Sequence, residues 1–192
     1  MLPLLLASSS PYRRELLARL RLPFVCASPD IDESHLPNEG PIELVRRLAE
    51  EKARALAAAF PGHLIIGSDQ VAVLDGRILG KPHTFERARE QLGAASGSSV
   101  TFLTGLALFN SSTGGCKVDH VPFTVHMRTL DQVSIERYLR AEQPYDCAGS
   151  FKAEGLGVSL FRSTEGSDAT SLVGLPLIRL VDMLIKEGVQ VL

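Results

Sequence analysis

Short apolar runs alternate with amphipathic segments along the chain, which is typical of a protein that mixes strands with helices. Apolar runs predict strands over Leu4–Ala7, Phe24–Ala27, Leu64–Gly67, Val71–Leu74, Val100–Phe109, Val118–Met127 and Leu156–Phe161. Helical spacing predicts a helix that begins at Pro11 and others over Pro41–Phe60, Thr84–Ala95, Ser134–Glu142 and Leu175–Glu187. Turn signals at Asp75-Gly76 and Ser111–Gly115 predict hairpins, so we expect a mixed rather than a purely parallel sheet.

The composition narrows the classes of function. Lys and Arg number 20 against 22 Asp and Glu, so the chain has no net positive field to hold a polymeric nucleic acid. No apolar stretch approaches the roughly 20 residues of a membrane helix, and the apolar N-terminal run lacks the basic flank of a signal peptide. We therefore expect a cytosolic protein that does not bind a membrane. The three cysteines are too scattered to predict a disulfide framework or a zinc site.

A serine-rich turn joins the first strand to the first helix. Residues Ser8 to Arg14 read Ser-Ser-Ser-Pro-Tyr-Arg-Arg, with Ser10 as the helix N-cap and Pro11 in the first turn. The free N–H groups and the positive end of a helix N-terminus attract phosphate, and Arg13 adds a guanidinium fork for phosphate oxygens. The pattern predicts either a phosphate-binding turn or an ordinary helix cap with surface arginines.

Two carboxylate clusters are candidates for metal binding or proton transfer. Asp69 follows the apolar run Leu64–Gly67, so we expect it at the end of a buried strand, where a carboxylate is desolvated and fixed in place. Glu33 ends the acidic sequence that begins at Asp30, and Mg²⁺ favours such carboxylate oxygens. A simple turn at Asp69 and an exposed acidic loop at Glu33 are the alternative interpretations.

Two lysines and a segment of small residues complete the candidates. Lys52 lies beside two glutamates on the second predicted helix, where a solvated face is the ordinary interpretation. Lys81 stands in a Gly-Lys-Pro sequence, where it is either a phosphate ligand or an exposed loop lysine. The segment Cys147–Gly155 allows close approach of a ligand, and Glu154 and Lys152 share a side if that segment is extended.

Other common catalytic patterns are missing from the sequence. The five histidines show no HxH or HxxxH spacing for a metal, and neither a Walker A motif nor a Gly-x-Ser-x-Gly elbow is present. The sequence therefore disfavours a P-loop enzyme and a serine hydrolase.

The order of these signals is more specific than any one of them. The sequence resembles the Maf family over essentially its whole length, at Leu6–Arg14, Asp32-Glu33, Lys52-Ala53, Ile66–Asp69, Gly80-Lys81-Pro82, Ala148-Gly149 and Gly174-Leu175-Pro176. The resemblance implies an α/β fold of the Maf/ITPase-like type, with a mixed β-sheet, flanking helices and two lobes around a central cleft. It also implies a single domain over residues 1–192.

The resemblance to the Maf family also implies a reaction and roles for the residues. Members hydrolyse a nucleoside triphosphate to the monophosphate and pyrophosphate with a divalent cation, Mg²⁺ or Mn²⁺. Asp69 is then the general base and, with Glu33, a metal ligand. The groups that hold the triphosphate are Ser8, Arg13, Lys52 and Lys81.

Three positions sort substrates in the Maf family, and they fall here on Tyr12, Gln70 and Glu154. The branch that cleaves dTTP and UTP carries Arg, Thr and Gln there, whereas an aromatic residue, Gln and Glu resemble the YceF branch, which acts on 7-methyl-GTP. N7-methylation makes guanine cationic, and the Tyr12 ring can attract that cation. Glu154 can accept hydrogen bonds from guanine N1–H and the N2 amine, donors that pyrimidines lack.

Other functions stay open from the sequence. The chain can instead cleave dTTP, UTP or a deaminated purine such as ITP, or it can bind a nucleotide and regulate cell division without significant turnover. A homodimer is implied by the family alone, and the same oxygen ligands serve Mg²⁺ and Mn²⁺.

Overall fold

The chain forms two compact units in the computed structural model, which describes residues 2–192. The first unit comprises the residues up to Gln70 together with 104–121 and 168–192. The second unit comprises residues 71–103 and 122–167.

A mixed β-sheet runs through the fold, as the sequence predicts. Its strands are β1 Leu4–Ala7, β2 Phe24–Ala27, β3 Leu64–Leu74, β4 Arg77–Leu79, β5 Ser99–Asn110, β6 Cys116–Met127 and β7 Phe161–Gly166. The strand order is β2-β1-β3-β5-β6-β7, and β4 pairs with β3. Strand β1 is parallel to both β2 and β3, whereas the β3–β4 and β6–β7 pairs are antiparallel.

Polar residues cap the starts of several helices, as predicted for Ser10 and Thr84, whereas the helix predicted to begin at Ser134 begins at Gln132, after Asp131. They are α1 Pro11–Ala18, α2 Pro41–Ala55, α3 Phe85–Ala95, α4 Gln132–Glu142, α5 Ala169–Val173 and α6 Leu177–Lys186, with short 3₁₀ helices at Ala148–Ser150 and Leu156–Leu160. The Ser10 hydroxyl accepts from the Arg13 N–H at the start of α1, and Thr84 and Asp131 cap α3 and α4 in the same way. Each cap satisfies one N–H that has no partner inside its helix.

The first unit is a sheet with a hydrophobic layer on each face. Alternate residues of β1 point to opposite sides, so Leu4 and Leu6 pack with α1 and α6 while Leu5 and Ala7 pack with α2. The apolar runs in β1 and β3 are therefore buried on both faces, as is typical of central strands in α/β proteins.

Two glycines let helix α2 lie directly on the sheet. A Cβ built at Gly67 would stand 2.0 Å from the Ala49 carbonyl oxygen, and one at Gly105 would stand 2.0 Å from that of Val45. Any side chain at either strand position would push the helix away. This close approach brings the buried face of α2 onto β3 one turn before Lys52.

The second unit has its own aromatic core. Phe102, Phe151 and Phe161 meet edge to face, with ring centroids 5.1 Å apart for the first pair and 4.8 Å for the second. Helices α3 and α4 pack against each other in this unit. Edge-to-face contacts of this kind add to the stabilisation from apolar burial.

Several sequence predictions of the elements are wrong. The second helix ends at Ala55 rather than near Phe60, because the chain tightens there and Ala57 N–H donates to the Arg54 carbonyl. The predicted strand Leu156–Phe161 is a 3₁₀ helix that ends where β7 begins, because Val158 N–H bonds to the Gly155 carbonyl and Phe161 N–H to the Val158 carbonyl, each three residues back. Helix α5 was not predicted.

No helix within residues 2–192 is both long and apolar enough to cross a membrane.

Candidate active site

A buried ion pair joins helix α2 to the middle strand of the first unit. The Lys52 Nζ lies 2.7 Å from Asp69 Oδ1, and the two side chains are only 8% and 10% exposed. Asp69 lies within the continuous strand β3 rather than at a strand end, so that prediction is wrong. Lys52 is buried, so the alternative of a solvated helix face is wrong as well.

A second carboxylate reaches the same ammonium group. Glu33 Oε1 lies 3.1 Å from Lys52 Nζ, although the Glu33 side chain is 59% exposed. The Lys52 ammonium therefore contacts Asp69, from a buried strand, and Glu33, from the loop before α2. Both carboxylates are thus within reach of the same ammonium group.

Arg13 brings a second positive charge to the carboxylates. Its Nε donates to the Gly174 carbonyl oxygen at 2.8 Å, which fixes the plane of the guanidinium. Burial lowers the pKa of Arg13, and the charges of Asp69 and Glu33 oppose that shift. Since an arginine stays protonated in proteins, Arg13 supplies a partly desolvated positive charge beside Asp69 and Glu33.

The serine turn serves as a helix cap, which was one of its two interpretations. Ser8 is buried, and its Oγ accepts from the Ser10 N–H at 3.1 Å. The Ser10 Oγ in turn accepts from the Arg13 N–H at 3.4 Å. A hydroxyl that accepts in this way keeps its hydrogen for donation. Ser8 can therefore accept from Ser10 and still donate to an anion.

Gln70 is anchored by its amide nitrogen. Nε2 donates to the Thr104 hydroxyl oxygen at 3.0 Å and to the carbonyl oxygens of Ser171 at 2.8 Å and Leu172 at 3.2 Å. Carbonyl oxygens only accept, so the orientation of the amide group is fixed by these partners. Gln70 therefore offers its carbonyl oxygen, an acceptor, as the group for any ligand.

Ser68 and Gly174 lie in motifs of the sequence, but no role was predicted for either. Ser68 is fully buried, and its Oγ lies 2.8 Å from the Gly105 carbonyl oxygen and 2.9 Å from that of Gly174. The Gly174 carbonyl thus contacts both Ser68 and Arg13. The available signal was three consecutive polar residues, Ser68 to Gln70, inside an otherwise apolar strand.

Tyr12 belongs to the first unit, and Lys81 and Glu154 belong to the second. Tyr12 is a half-buried residue of the first turn of α1. Lys81 and Glu154 are exposed residues of the second unit, where Glu154 lies in a turn rather than an extended segment. Burial, and after it the charge of Glu154, raises the pKa of the Cys147 thiol to about 11, and Lys81 opposes that shift, so both charges lie near the thiol.

The carboxylates fit a hard divalent cation with few protein ligands. Within residues 2–192 no group of three or more His, Cys, Asp or Glu side chains gathers in the manner of a complete metal cage. Mg²⁺ is commonly held by one or two carboxylates together with water and substrate phosphates. Asp69 and Glu33 match that donor set.

Comparison with known proteins identifies the family. A model of the Maf family, described as Maf-like protein, matches residues 3–187. The chain belongs to the Maf family. This membership confirms the prediction made from the motifs.

Similar Maf-family proteins occur in several Pseudomonas species. One from Pseudomonas syringae pv. tomato, named 7-methyl-GTP pyrophosphatase, is 85% identical over 188 residues, which cover 98% of each chain. Proteins with the same name from Pseudomonas fluorescens and Pseudomonas aeruginosa are 82% and 73% identical, over 100% and 98% of each chain.

A solved structure confirms the fold class. A HAM1 protein from Coxiella burnetii matches with a TM-score of 0.51 and 15% identity, over 97% of this chain and 100% of that one. At this identity the likeness concerns the fold alone. The predicted α/β fold with a mixed sheet and flanking helices is confirmed.

Proposed function

We propose that this Maf-family chain is a nucleoside triphosphate pyrophosphatase that hydrolyses 7-methyl-GTP to 7-methyl-GMP and pyrophosphate. The observation that carries the proposal is the Lys52 ammonium bound between Asp69 and Glu33, with the Arg13 guanidinium beside them. The names of the relatives that are 73–85% identical support both the reaction class and the substrate.

Cationic groups of the first unit are suited to a triphosphate. Arg13 carries a guanidinium fork that matches phosphate oxygens, and Lys52 carries a point charge. Ser8 can donate its hydroxyl hydrogen to a phosphate oxygen. Lys81 is a further phosphate ligand in the proposal, on the basis of the family motif around it.

Asp69 and Glu33 would hold Mg²⁺ or Mn²⁺ in the proposed reaction. When bound, the metal neutralises charge on the triphosphate and on the departing pyrophosphate. Lys52 now bonds to the same two carboxylates. If a divalent cation took the place of the ammonium, Lys52 would be free to contact a phosphate.

Asp69 is the proposed general base of the hydrolysis. It accepts a proton from a water molecule as the water oxygen bonds to the α-phosphorus. The bond from the α-phosphorus to the bridging oxygen then breaks, and pyrophosphate leaves with that electron pair. The buried position of Asp69 keeps its carboxylate orientation fixed, which is what proton transfer requires.

Three residues account for the choice of base in the proposal. The Tyr12 ring attracts the cationic methylated guanine, by about 0.5–2 kcal/mol. Glu154 accepts from guanine N1–H and the N2 amine. Gln70 offers only an acceptor, since its amide nitrogen is committed to Ser171 and Leu172.

A panel of nucleotides with pyrophosphate detection tests the function. The wild-type protein is incubated with 7-methyl-GTP, GTP, dTTP, UTP and ITP, each with and without Mg²⁺ or Mn²⁺. We expect metal-dependent release that is fastest from 7-methyl-GTP. Faster release of pyrophosphate from dTTP, UTP or ITP would refute 7-methyl-GTP as the preferred substrate. Nucleotide binding without pyrophosphate release would favour a nucleotide-binding regulator.

Four further statements about this protein stay predictions. They are a homodimer, a cytosolic location, a single domain over residues 1–192 and the absence of a polymeric nucleic-acid or membrane partner.

A further inference from the structure

The loop that carries Glu33 has no regular structure of its own. Residues 28–40 contain neither helix nor strand, and most of them are exposed. A carboxylate in such a loop loses considerable side-chain and backbone entropy when it is fixed at a metal. Something outside the loop has to hold Glu33 near Lys52.

Arg47 on helix α2 binds this loop with most of its donors. Its Nε and Nη2 donate to the two carboxylate oxygens of Glu39 at 2.5 and 2.8 Å. Nη2 also donates to the Ser34 carbonyl oxygen at 3.0 Å, and Nη1 donates to Glu51 at 3.0 Å. The guanidinium thus ties two points of the loop to one helix.

The pair between Arg47 and Glu39 differs from an ordinary surface ion pair. The Glu39 side chain is only 6% exposed, and its Oε2 also accepts from the Leu36 N–H at 3.1 Å. The hydrogen bond from Arg47 is the largest cause that lowers the pKa of Glu39 to about 2. A two-pronged contact of this kind requires the planar fork of arginine and is not reproduced by lysine.

The contacts of Arg47 reach the residue next to Glu33. Ser34, whose carbonyl Arg47 holds, also donates its N–H to Asp32 Oδ1 at 2.9 Å. Both chain neighbours of Glu33 are therefore fixed. The Glu33 carboxylate then lies 3.1 Å from Lys52 even though it is largely exposed.

We propose that Arg47 is a positioning residue, which sets the acidic loop through Glu39 and Ser34 so that Glu33 can bind the metal together with Asp69. The inference rests on the proposed function in one respect, that Glu33 is a metal ligand. Arg47 itself contacts neither substrate nor metal in this proposal.

A second Arg–Glu pair on the same helix provides a matched control. Arg54 Nε lies 2.7 Å from Glu50 Oε1, with the same spacing of four residues as Arg47 and Glu51. It makes no hydrogen bond to the loop. Glu50→Gln therefore removes an ion pair from α2 and leaves the loop contacts in place.

The test measures metal binding and loop protection without turnover. Mn²⁺ is titrated by calorimetry into wild type, Arg47→Lys, Glu39→Gln and Glu50→Gln, and hydrogen–deuterium exchange is followed over residues 28–40. We expect about tenfold weaker Mn²⁺ binding in Arg47→Lys and Glu39→Gln, the range for partners that orient metal ligands. Exchange in the loop should rise in both variants, and Glu50→Gln should match the wild type.

A double-variant cycle separates positioning from a general loss of stability. If Arg47 acts through Glu33, then Arg47→Lys should not weaken Mn²⁺ binding further in a Glu33→Gln background. Additive losses would overturn the proposal, as would unchanged Mn²⁺ binding in Arg47→Lys or no Mn²⁺ binding by the wild type. Failure of 7-methyl-GTP hydrolysis alone would refute the proposed function and leave these results standing.

Discussion

Replacing Lys52 by methionine removes the ammonium that bridges Asp69 and Glu33 and keeps a side chain of similar length. The Asp69 carboxylate is then left in a buried position without its nearest partner. Burying a charge without a partner is costly, so we expect the variant to be less stable than the wild type. Bound metal should reverse much of that loss, because a divalent cation replaces the missing charge.

The magnitude follows from the burial of the two partners. Breaking a buried ion pair costs about 3–5 kcal/mol, whereas a pair whose carboxylate is largely exposed, such as Lys52–Glu33, contributes about 0–1 kcal/mol. The loss of the Asp69 contact therefore dominates. For a chain of this size each kcal/mol lowers Tm by about 2–4 °C, so Tm should fall by roughly 6–20 °C.

Thermal unfolding with and without Mn²⁺ measures both effects. In Lys52→Met no ammonium competes for the carboxylates, so Mn²⁺ should raise Tm more than it does in the wild type. At a metal concentration of about 100 Kd the expected stabilisation is about 2.7 kcal/mol. Lys117→Met is the control, since Lys117 pairs with Glu187 away from Asp69. A wild-type Tm for Lys52→Met, or an equal effect of Mn²⁺ on both proteins, would refute the reasoning.

Further predictions concern catalysis, base choice and titration. Asp69→Asn should lower the rate of pyrophosphate release by about 10²–10⁴-fold, and a wild-type rate would remove Asp69 from the mechanism. Glu154→Gln should slow hydrolysis of 7-methyl-GTP more than that of UTP, and equal losses would contradict its role in base choice. Because Glu39 has a pKa lowered from 4.5 to about 2, the stability that it contributes should be full above pH 4.5 and lost as the pH falls towards 2. Urea unfolding of wild type and Glu39→Gln across that pH range measures the difference in their free energies of unfolding, which should shrink as the pH falls. A difference that grows on acidification would contradict the prediction. Cys147, with a pKa of about 11, should react with iodoacetamide more slowly at pH 8 than the exposed Cys26, because only about 0.1% of it is thiolate; mass spectrometry of the labelled peptides would expose the reverse order.

The sequence predicts the fold well wherever a local signal is strong. Apolar runs mark the strands β1 and β2, and cap residues such as Ser10 and Thr84 mark helix starts. It fails at Leu156–Phe161, where apolar alternation suggests a strand but hydrogen bonds to carbonyls three residues back, from Val158 to Gly155 and from Phe161 to Val158, form a 3₁₀ helix.

The sequence predicts which residues form the candidate site better than it predicts how they are arranged. Lys52 follows Val45, Leu48 and Ala49 on one helical stripe, so its burial was available from the spacing and was obscured by the glutamates beside it. Asp69 was correctly taken as buried and wrongly placed at a strand end. Contacts over long separations, such as Gly174 with Arg13, leave no pattern in the sequence.

The most direct measurement of the central claim is hydrolysis of 7-methyl-GTP in water enriched in the heavy oxygen isotope, with Mn²⁺ present. Attack at the α-phosphorus places the heavy oxygen in 7-methyl-GMP, and the account predicts this product together with unlabelled pyrophosphate. Label in pyrophosphate, release of inorganic phosphate in its place, or no metal-dependent turnover would contradict it.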